Sequence, residues 1–403
     1  MDMHNDNSGD ACSSPRDPLA DWGWDDYFQG SFASLVEDDG FRGPSPDRAR
    51  PEPARVVETR RGGYLVIARD GAGGLAEETA ALAGRVRAWD GVHSREDMPQ
   101  ARRPATGDWV AVRGARGSGA VIDAVLPRRT AFSRKAAGET GYDLVEEQVL
   151  AANVDVAFIV AAAGNDFSVR RIERYACLAM ESGATPVLVV AKADLAGDRA
   201  DALVAEAGSA CPGAPAFAVC APEGRGLREF DRWLTPGRTS VLLGSSGSGK
   251  TTLINALAGR TLGATGPVKA FDQTGRHTTT ARTLFMMPTG GLVIDTPGLR
   301  EVQLWLSGES VDGTFPEIEE AAASCRFADC SHGKEPGCGV RAALESGAIR
   351  EDRFRSWQRL QREVRFLETR TDMRAREEEH RKLKQRCKTI RDRDWAKARE
   401  RGR

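Results

Sequence analysis

Apolar and polar positions change rhythm twice along this chain. Over residues 54–129, short apolar stretches at 54–59, 63–68, 84–88, 108–113 and 120–126 alternate with turn residues. Five short strands in so brief a span predict a small Greek-key barrel of the OB type; an SH3-like barrel fits nearly as well. Past a basic connector at 128–135 the apolar runs become continuous, at 154–161, 186–190, 216–219, 240–243 and 292–294, spaced for the most part by helix-length segments. Such runs are strands covered on both faces, so they predict a mostly parallel sheet with helices on either side. From residue 307 onward Cys and His gather, and Phe354, Trp357, Leu360, Val364 and Leu367 then recur at helical spacing. The predicted organisation is multidomain α/β: an extension over 1–53, the barrel over 54–130, the sheet domain over 131–306 and a helical C-terminal module over 307–403.

Charge sharpens the two ends of this map. The net charge of −1 hides about 12 acidic against about 4 basic residues in 1–53, and about 20 basic against about 11 acidic in 350–403. The acidic start, rich in Pro and Ser, predicts a largely disordered segment. One aromatic island within it, Trp22-Gly23-Trp24-Asp25-Asp26-Tyr27-Phe28, is equipped to dock. The basic tail, together with Arg128, Arg129, Arg134 and Lys135 of the connector, suits an anionic partner, of which nucleic acid is the commonest. The first residues lack the basic and apolar regions of a signal peptide, and the longest apolar run, 156–163, falls short of the roughly 18 residues a membrane span needs. A soluble, cytoplasmic monomer is expected. Eight cysteines among 403 residues make no disulfide scaffold.

In a parallel sheet, ligands bind at the carboxyl ends of the strands, and the telling residues lie there. Gly244-Ser245-Ser246-Gly247-Ser248-Gly249-Lys250-Thr251 follows the run at 240–243, precedes a helical segment at 252–258, and satisfies G-x-x-x-x-G-K-[ST] at every fixed position. Its glycines let backbone N–H groups approach phosphates at a helix N-terminus. Lys250 would neutralise the β- and γ-phosphates, and the Thr251 hydroxyl would ligate Mg²⁺. Asp295-Thr296-Pro297-Gly298 fits D-x-x-G: Asp295 would hold Mg²⁺ through water, and the Gly298 N–H would sense the γ-phosphate. Between them, Gly275-Arg276-His277-Thr278-Thr279-Thr280 is a polar loop suited to a switch. Thr252 and Thr279 complete the candidate phosphate set.

The base site would come from Ala191-Lys192-Ala193-Asp194, which stands where guanine recognition uses N-K-x-D. Asp194 would accept the base's N1–H and N2–H, Lys192 would lay its stem over the ring, and Ala191 replaces the usual Asn. Cys220-Ala221-Pro222-Glu223-Gly224 is similar to the S-A-x-x-G loop that lines the other side of the base. These base elements precede the phosphate loop, the reverse of the ordinary GTPase order, so the sheet domain reads as a circularly permuted GTPase. Its last strand then leads almost directly into the C-terminal module. Leu299 occupies the position after D-x-x-G where many GTPases carry a water-orienting Gln. His277 is the nearest group able to take that catalytic role.

Cys325-x4-Cys330-x-His332-x5-Cys338 supplies four soft ligands within a short span, the donor set of one closed, structural Zn²⁺ site. The remaining cysteines, Cys12, Cys177, Cys211, Cys220 and Cys387, have no comparable partners and read as plain thiols.

With these motifs in hand, the chain resembles the RsgA (YjeQ) family of small-ribosomal-subunit-dependent GTPases over roughly residues 54–365, and Trp22–Phe28 resembles a segment near the start of many members. The resemblance is carried by Pro104-Ala105-Thr106-Gly107-Asp108-Trp109-Val110, Leu126-Pro127-Arg128-Arg129, Ala151-Ala152-Asn153-Val154-Asp155, the permuted motifs, the loop at 275–280, the segment at 295–301 and the Cys₃His cluster. It implies an OB barrel, a permuted GTPase and a zinc domain, with a part in late maturation of the small subunit through contact with its rRNA. It points to His277 for hydrolysis as well. Ala191 and Cys220 depart from the family pattern. A reading from another class, a non-hydrolysing nucleotide-gated RNA-binding module, is suggested by Ala191 and Leu299.

Overall fold

Closure of the barrel decides between the two predicted architectures. Its strands are β1 (Glu52–Arg60), β2 (Gly63–Arg69), β3 (Leu75–Ala88), β4 (Gly91–Ser94), β5 (Trp109–Arg113) and β6 (Ala120–Val125) in the computed structural model. The residues described are 17–37, 50–60, 62–88, 91–94, 98–114, 119–135, 147–164, 166–262, 282–295 and 308–371. The ring runs β1-β2-β3-β6-β5 and back to β1, every pair antiparallel except β3–β6, with β4 added outside on β3. A five-strand ring with one parallel closure is the OB arrangement, so the SH3-like alternative falls away. β3 is far longer than the expected strand at 84–88, because Glu77, Glu78 and Thr79 mask its first half in the hydropathy pattern while still pairing with β2.

The barrel is not a separate bead. The ladder is irregular between Val56 and Glu58, and there β1 turns outward from the ring. Its last residues then pair with β13 (Arg282–Met286), Glu58 opposite Thr283 and Thr59 opposite Arg282. β13 in turn lies antiparallel to β14 (Leu292–Asp295), so one twelve-stranded sheet runs through both units. Beyond β14 the strands are parallel in the order β11 (Ala216–Val219), β10 (Thr185–Ala191), β9 (Val156–Ala162), β12 (Thr239–Leu243), β14. β7 (Ala131–Lys135) and β8 (Glu147–Ala152), which include part of the basic connector, form a separate antiparallel pair.

Residues 17–37, placed by composition in a disordered extension, instead form a short 3₁₀ turn (Pro18–Trp22) and helix α1 (Asp26–Glu37). Leu19, Trp24 and Phe28 are buried, and Trp24 meets Trp109 edge-on at 4.7 Å. Arg129 sits 4.6 Å from the rings of both Tyr27 and Phe28 and pairs with Asp25. Arg55, fully buried, donates to the Trp22 carbonyl and to the Thr239 hydroxyl at 2.8 Å. The aromatic island therefore caps the seam between barrel and sheet.

The C-terminal module docks on α2 (Val169–Ser182), the helix after β9. The guanidinium of Arg353, on the long helix Glu351–Thr371, is buried against Glu173 of α2 at 2.8 Å and Glu317 at 2.5 Å, and donates to the carbonyls of Thr314 and Ala210. Burial opposes its charge, but the two carboxylates outweigh that and hold its pKa above the ordinary value. Arg353→Lys keeps the charge and loses the planar fork that serves four partners at once. We expect a loss of about 1.5–3 kcal/mol, measured as a lower urea midpoint with unchanged slope; an unaltered midpoint would mean the network is not holding the module.

Candidate functional site

The phosphate loop leaves the fully buried strand β12 and enters α4 (Lys250–Ala258), the α-helix that follows α3 (Ala200–Ala210) in the chain. At Gly244 a side chain is impossible, since a Cβ would stand 2.3 Å from the Val160 carbonyl. The loop can therefore rise directly between β12 and its parallel neighbour β9. Ser248 is buried, Ser246 and Gly247 face outward, and Thr251 and Thr252 occupy the first turn of α4, Thr251 half-buried and Thr252 exposed. Lys250 bends back over the loop, donating to the Gly244 carbonyl at 2.8 Å and the Ser245 carbonyl at 2.6 Å. Its ammonium thus lies on the side of the loop where phosphates sit in such sites.

The base-recognition residues come to the same rim. Ala191 ends β10; Lys192 follows with φ 57°, a left-handed turn that brings its stem and the Ala191 methyl to within about 4 Å of where a Cβ on Gly249 would lie. Ala193 is buried and Asp194 is exposed at the mouth. Cys220, at the end of β11, donates its thiol to the Asp194 carboxylate at 3.2 Å. Desolvation, then that carboxylate, push the thiol's pKa up and keep it protonated as a donor. The departure at Cys220 therefore preserves a donor to Asp194, as a serine hydroxyl would. Asp295 ends β14, which pairs in parallel with β12, so its place is beside the strand that feeds the phosphate loop. His277, Thr279, Gly298 and Leu299 lie outside the described residues.

One member of this rim escaped the sequence reading. Asp166 accepts the Ser245 hydroxyl at 2.8 Å, and hydrogen bonds from Ser245 and then Arg171 hold its carboxyl below the usual range. The pair links residues 79 apart, and no local pattern announces it.

A second cluster, Cys325, Cys330, His332 and Cys338, has all four ligand atoms within 4.8 Å of one another. Cys325 and Cys338 sulfurs are 3.9 Å apart, and each lies 3.5–3.6 Å from His332 Nδ1. These are close to the edges, about 3.8 and 3.5 Å, of a tetrahedron with metal–sulfur bonds near 2.3 Å and a metal–nitrogen bond near 2.0 Å. The Gly339 N–H points at the Cys325 sulfur and the Arg341 N–H at that of Cys338, a setting that favours thiolates. The donors can hold a metal ion.

Comparison with known proteins gives this geometry a family. The RsgA GTPase family model matches residues 125–305. A small ribosomal subunit biogenesis GTPase RsgA from Opitutus terrae is 44% identical over 364 residues, covering 88% of this chain and 92% of that protein. The chain belongs to the RsgA GTPase family. The RsgA of Streptomyces coelicolor, 40% identical, aligns with 93% of this chain and 94% of its own. Among solved structures, YjeQ from Thermotoga maritima superposes with a TM-score of 0.56 at 25% identity, covering 78% of this chain and 98% of that one. YloQ, a circularly permuted GTPase, shares the fold with a TM-score of 0.54 at 21% identity, covering 80% and 98%.

Several residues that carry the RsgA resemblance turn out to stitch the barrel to the GTPase. Asp108, fully buried, receives Arg128 on both carboxylate oxygens at 2.7–2.8 Å. Arg128 also holds the Ala101 and Arg103 carbonyls. Asn153, with φ 55°, donates to the Gly107 carbonyl and accepts from the Arg129 N–H. This takes one member out of the expected cationic surface of the connector: Arg128 is consumed by Asp108, whereas Arg129 pairs with Asp25 and lies against two rings yet stays exposed. Among the described residues no helix is long and apolar enough to cross a membrane.

Proposed function

We infer that this GTPase works as a nucleotide-dependent switch in late assembly of the small ribosomal subunit, bound to its rRNA in the cytoplasm. The observation that carries the reading is one rim holding phosphate loop, Lys192–Asp194 and Asp295 in permuted order, in a chain alike over nearly its whole length to small ribosomal subunit biogenesis GTPases. GTP would lie with its phosphates on the N–H groups of 244–252 and its base against Lys192 and Asp194. Thr251 and Asp295 would hold Mg²⁺, which offsets phosphate charge when bound. His277 orients the attacking water, while Thr279 and Gly298 report the γ-phosphate. Zn²⁺ is the ion that suits the Cys₃His tetrahedron, and its task there is structural.

The reading predicts slow turnover by the protein alone and stimulation by small subunits, with tighter co-sedimentation on subunits in the presence of a non-hydrolysable GTP analogue than with GDP. Turnover indifferent to subunits, with equal co-sedimentation in both states, would overturn it. The departure at Ala191 predicts a further result. Ala191→Asn adds an amide facing the phosphate loop near Gly249, and one hydrogen bond is worth about 0.5–1.5 kcal/mol. GDP affinity should rise by roughly 2–12-fold, with GDP preferred to ADP before and after the change. Equal affinity for ADP and GDP would remove Asp194 from the base site.

A further inference from the structure

Where barrel and GTPase meet, a cleft of about 570 Å³ opens between β1, β2, β8 and β13. Arg103, Arg282, Tyr64, Gln100 and Gln148 line it, and no carboxylate is among its described lining residues. Arg60 at the rim is already held by Glu58 at 2.8 Å. Arg103 and Arg282 are placed differently. The Arg103 Nε makes a long 3.4 Å contact with the Met98 carbonyl. The Arg282 Nε is sealed from solvent and finds no hydrogen-bond partner among the described residues. Burial, and then the neighbouring Arg134, pull the Arg282 pKa down to about 10. A half-buried guanidinium whose Nε is sealed beside a like charge is unfavourable until an anion arrives.

The position of Arg282 ties this cleft to the nucleotide. It directly follows the segment that carries His277 and Thr279. The next residue, Thr283, faces Asp295 of β14 on one side and Glu58 of β1 on the other. The Arg282 carbonyl accepts the Thr106 hydroxyl at 3.0 Å, which fixes the strand to the barrel. Cleft and GTP site therefore lie on paired neighbouring strands, with Arg282 at the start of β13 and Asp295 at the end of β14.

We propose that this cleft binds the phosphodiester backbone of a single RNA strand and that its occupancy is transmitted to the GTP site through β13. Guanidinium forks match phosphate oxygens. The half-buried Tyr64 ring offers a surface on which a base can stack. The amides of Gln100 and Gln148 can read base edges or 2′-hydroxyls. An acidic peptide would use the arginines and leave the ring and amides idle. The proposal rests on the reading of an rRNA-bound switch, and its test separates the two.

Arg103→Gln, Arg282→Gln, Arg282→Lys and the double glutamine variant would be prepared as full chains, with GDP affinity and thermal midpoint as checks of folding. Each, loaded with a non-hydrolysable GTP analogue, would be titrated with a single-stranded RNA oligonucleotide and with purified small subunits across a range of salt. Loss of one phosphate contact should lower the slope of log affinity against log salt by about 0.7–0.9, with Arg282→Lys keeping most of it. Subunit-stimulated turnover should fall in the same order. A wild-type slope in both single variants overturns the cleft assignment. So does an unchanged RNA slope where inorganic pyrophosphate raises the midpoint of wild type but not of the variants, since the site would then take a small free phosphate. Wild-type protein that binds the oligonucleotide in this slope-dependent way but ignores small subunits supports the cleft and sinks the ribosomal reading.

Discussion

His277→Ala is expected to lower GTP turnover by roughly 10²–10⁴-fold, the usual worth of a group that positions or deprotonates an attacking water. Two residues set this expectation. Leu299 stands where a Gln would otherwise orient the water, and it can neither donate nor accept. His277 belongs to the polar segment between α4 and β13, which the proposed function assigns to the γ-phosphate. In the proposed role the imidazole acts on the water and not on the base or phosphates, so GDP affinity should be unchanged, and the loss should fall on turnover with subunits present as well as without. Stimulated single-turnover rates measured for His277→Ala and Leu299→Ala side by side decide the matter. Wild-type rates in the first with a large loss in the second would move the catalytic role elsewhere.

Removal of metal from the Cys₃His cluster should have the larger effect on stability. In small zinc modules the metal's binding free energy, about 10–16 kcal/mol in isolated peptides at neutral pH, is largely folding free energy. Here the four donors also fix a wider contact: the His332 ring lies 5.6 Å from Trp357, which stacks in turn on Phe354 at 5.7 Å. Chelation, or Cys330→Ser, should expose Trp357, shift tryptophan emission to the red and lower the unfolding midpoint. The barrel and GTP site should stay folded, because Arg353 and Glu173 join the module to α2 from outside the cluster. GDP binding by the chelated protein tests that division. Purified protein containing no zinc, or a Cys330→Ser variant of unchanged midpoint, would contradict the structural role.

What could be read from the sequence was whatever depends on near neighbours in the chain. The phosphate loop and the Cys₃His set each fall within a few turns of backbone, so spacing alone defines them. The parallel GTPase strands were legible as unbroken apolar runs, whereas the antiparallel β13, half-buried for most of its length, was not. β3 was not, since its first half carries Glu77, Glu78 and Thr79 in a row, with Glu77 and Thr79 exposed, while the backbone still pairs. α1 was hidden by its acidic surroundings, and only its docking against Trp109 and Arg129 explains why it is ordered. Charge was the least readable quantity. Arg128 looks like a surface cation in sequence, yet its side chain is only 6% exposed beside Asp108, whereas Arg282 drew no attention and stands at a seam without a carboxylate among its described neighbours in the cleft. Asp166 could not have been found, because its partner Ser245 is distant in the chain and each is unremarkable alone.

The rung that joins Glu58 and Thr59 to Thr283 and Arg282 has a consequence for the order in which a growing chain can fold. Every strand of the barrel ring is made by residue 125, so the ring can close early as the chain emerges. The end of β1 pairs with β2 at once, but its other edge has no such luck: the partner on that side, β13, lies 282 − 59 = 223 residues later. At a synthesis rate of about 5–20 residues per second, that end waits roughly 11–45 s as an open strand edge. Arg60, charged and exposed at its tip, is the kind of residue that discourages a wrong strand from pairing there in the meantime. The same delay makes the last rung a checkpoint on completion, since it can form only once the phosphate loop and the segment bearing His277 have both left the exit tunnel.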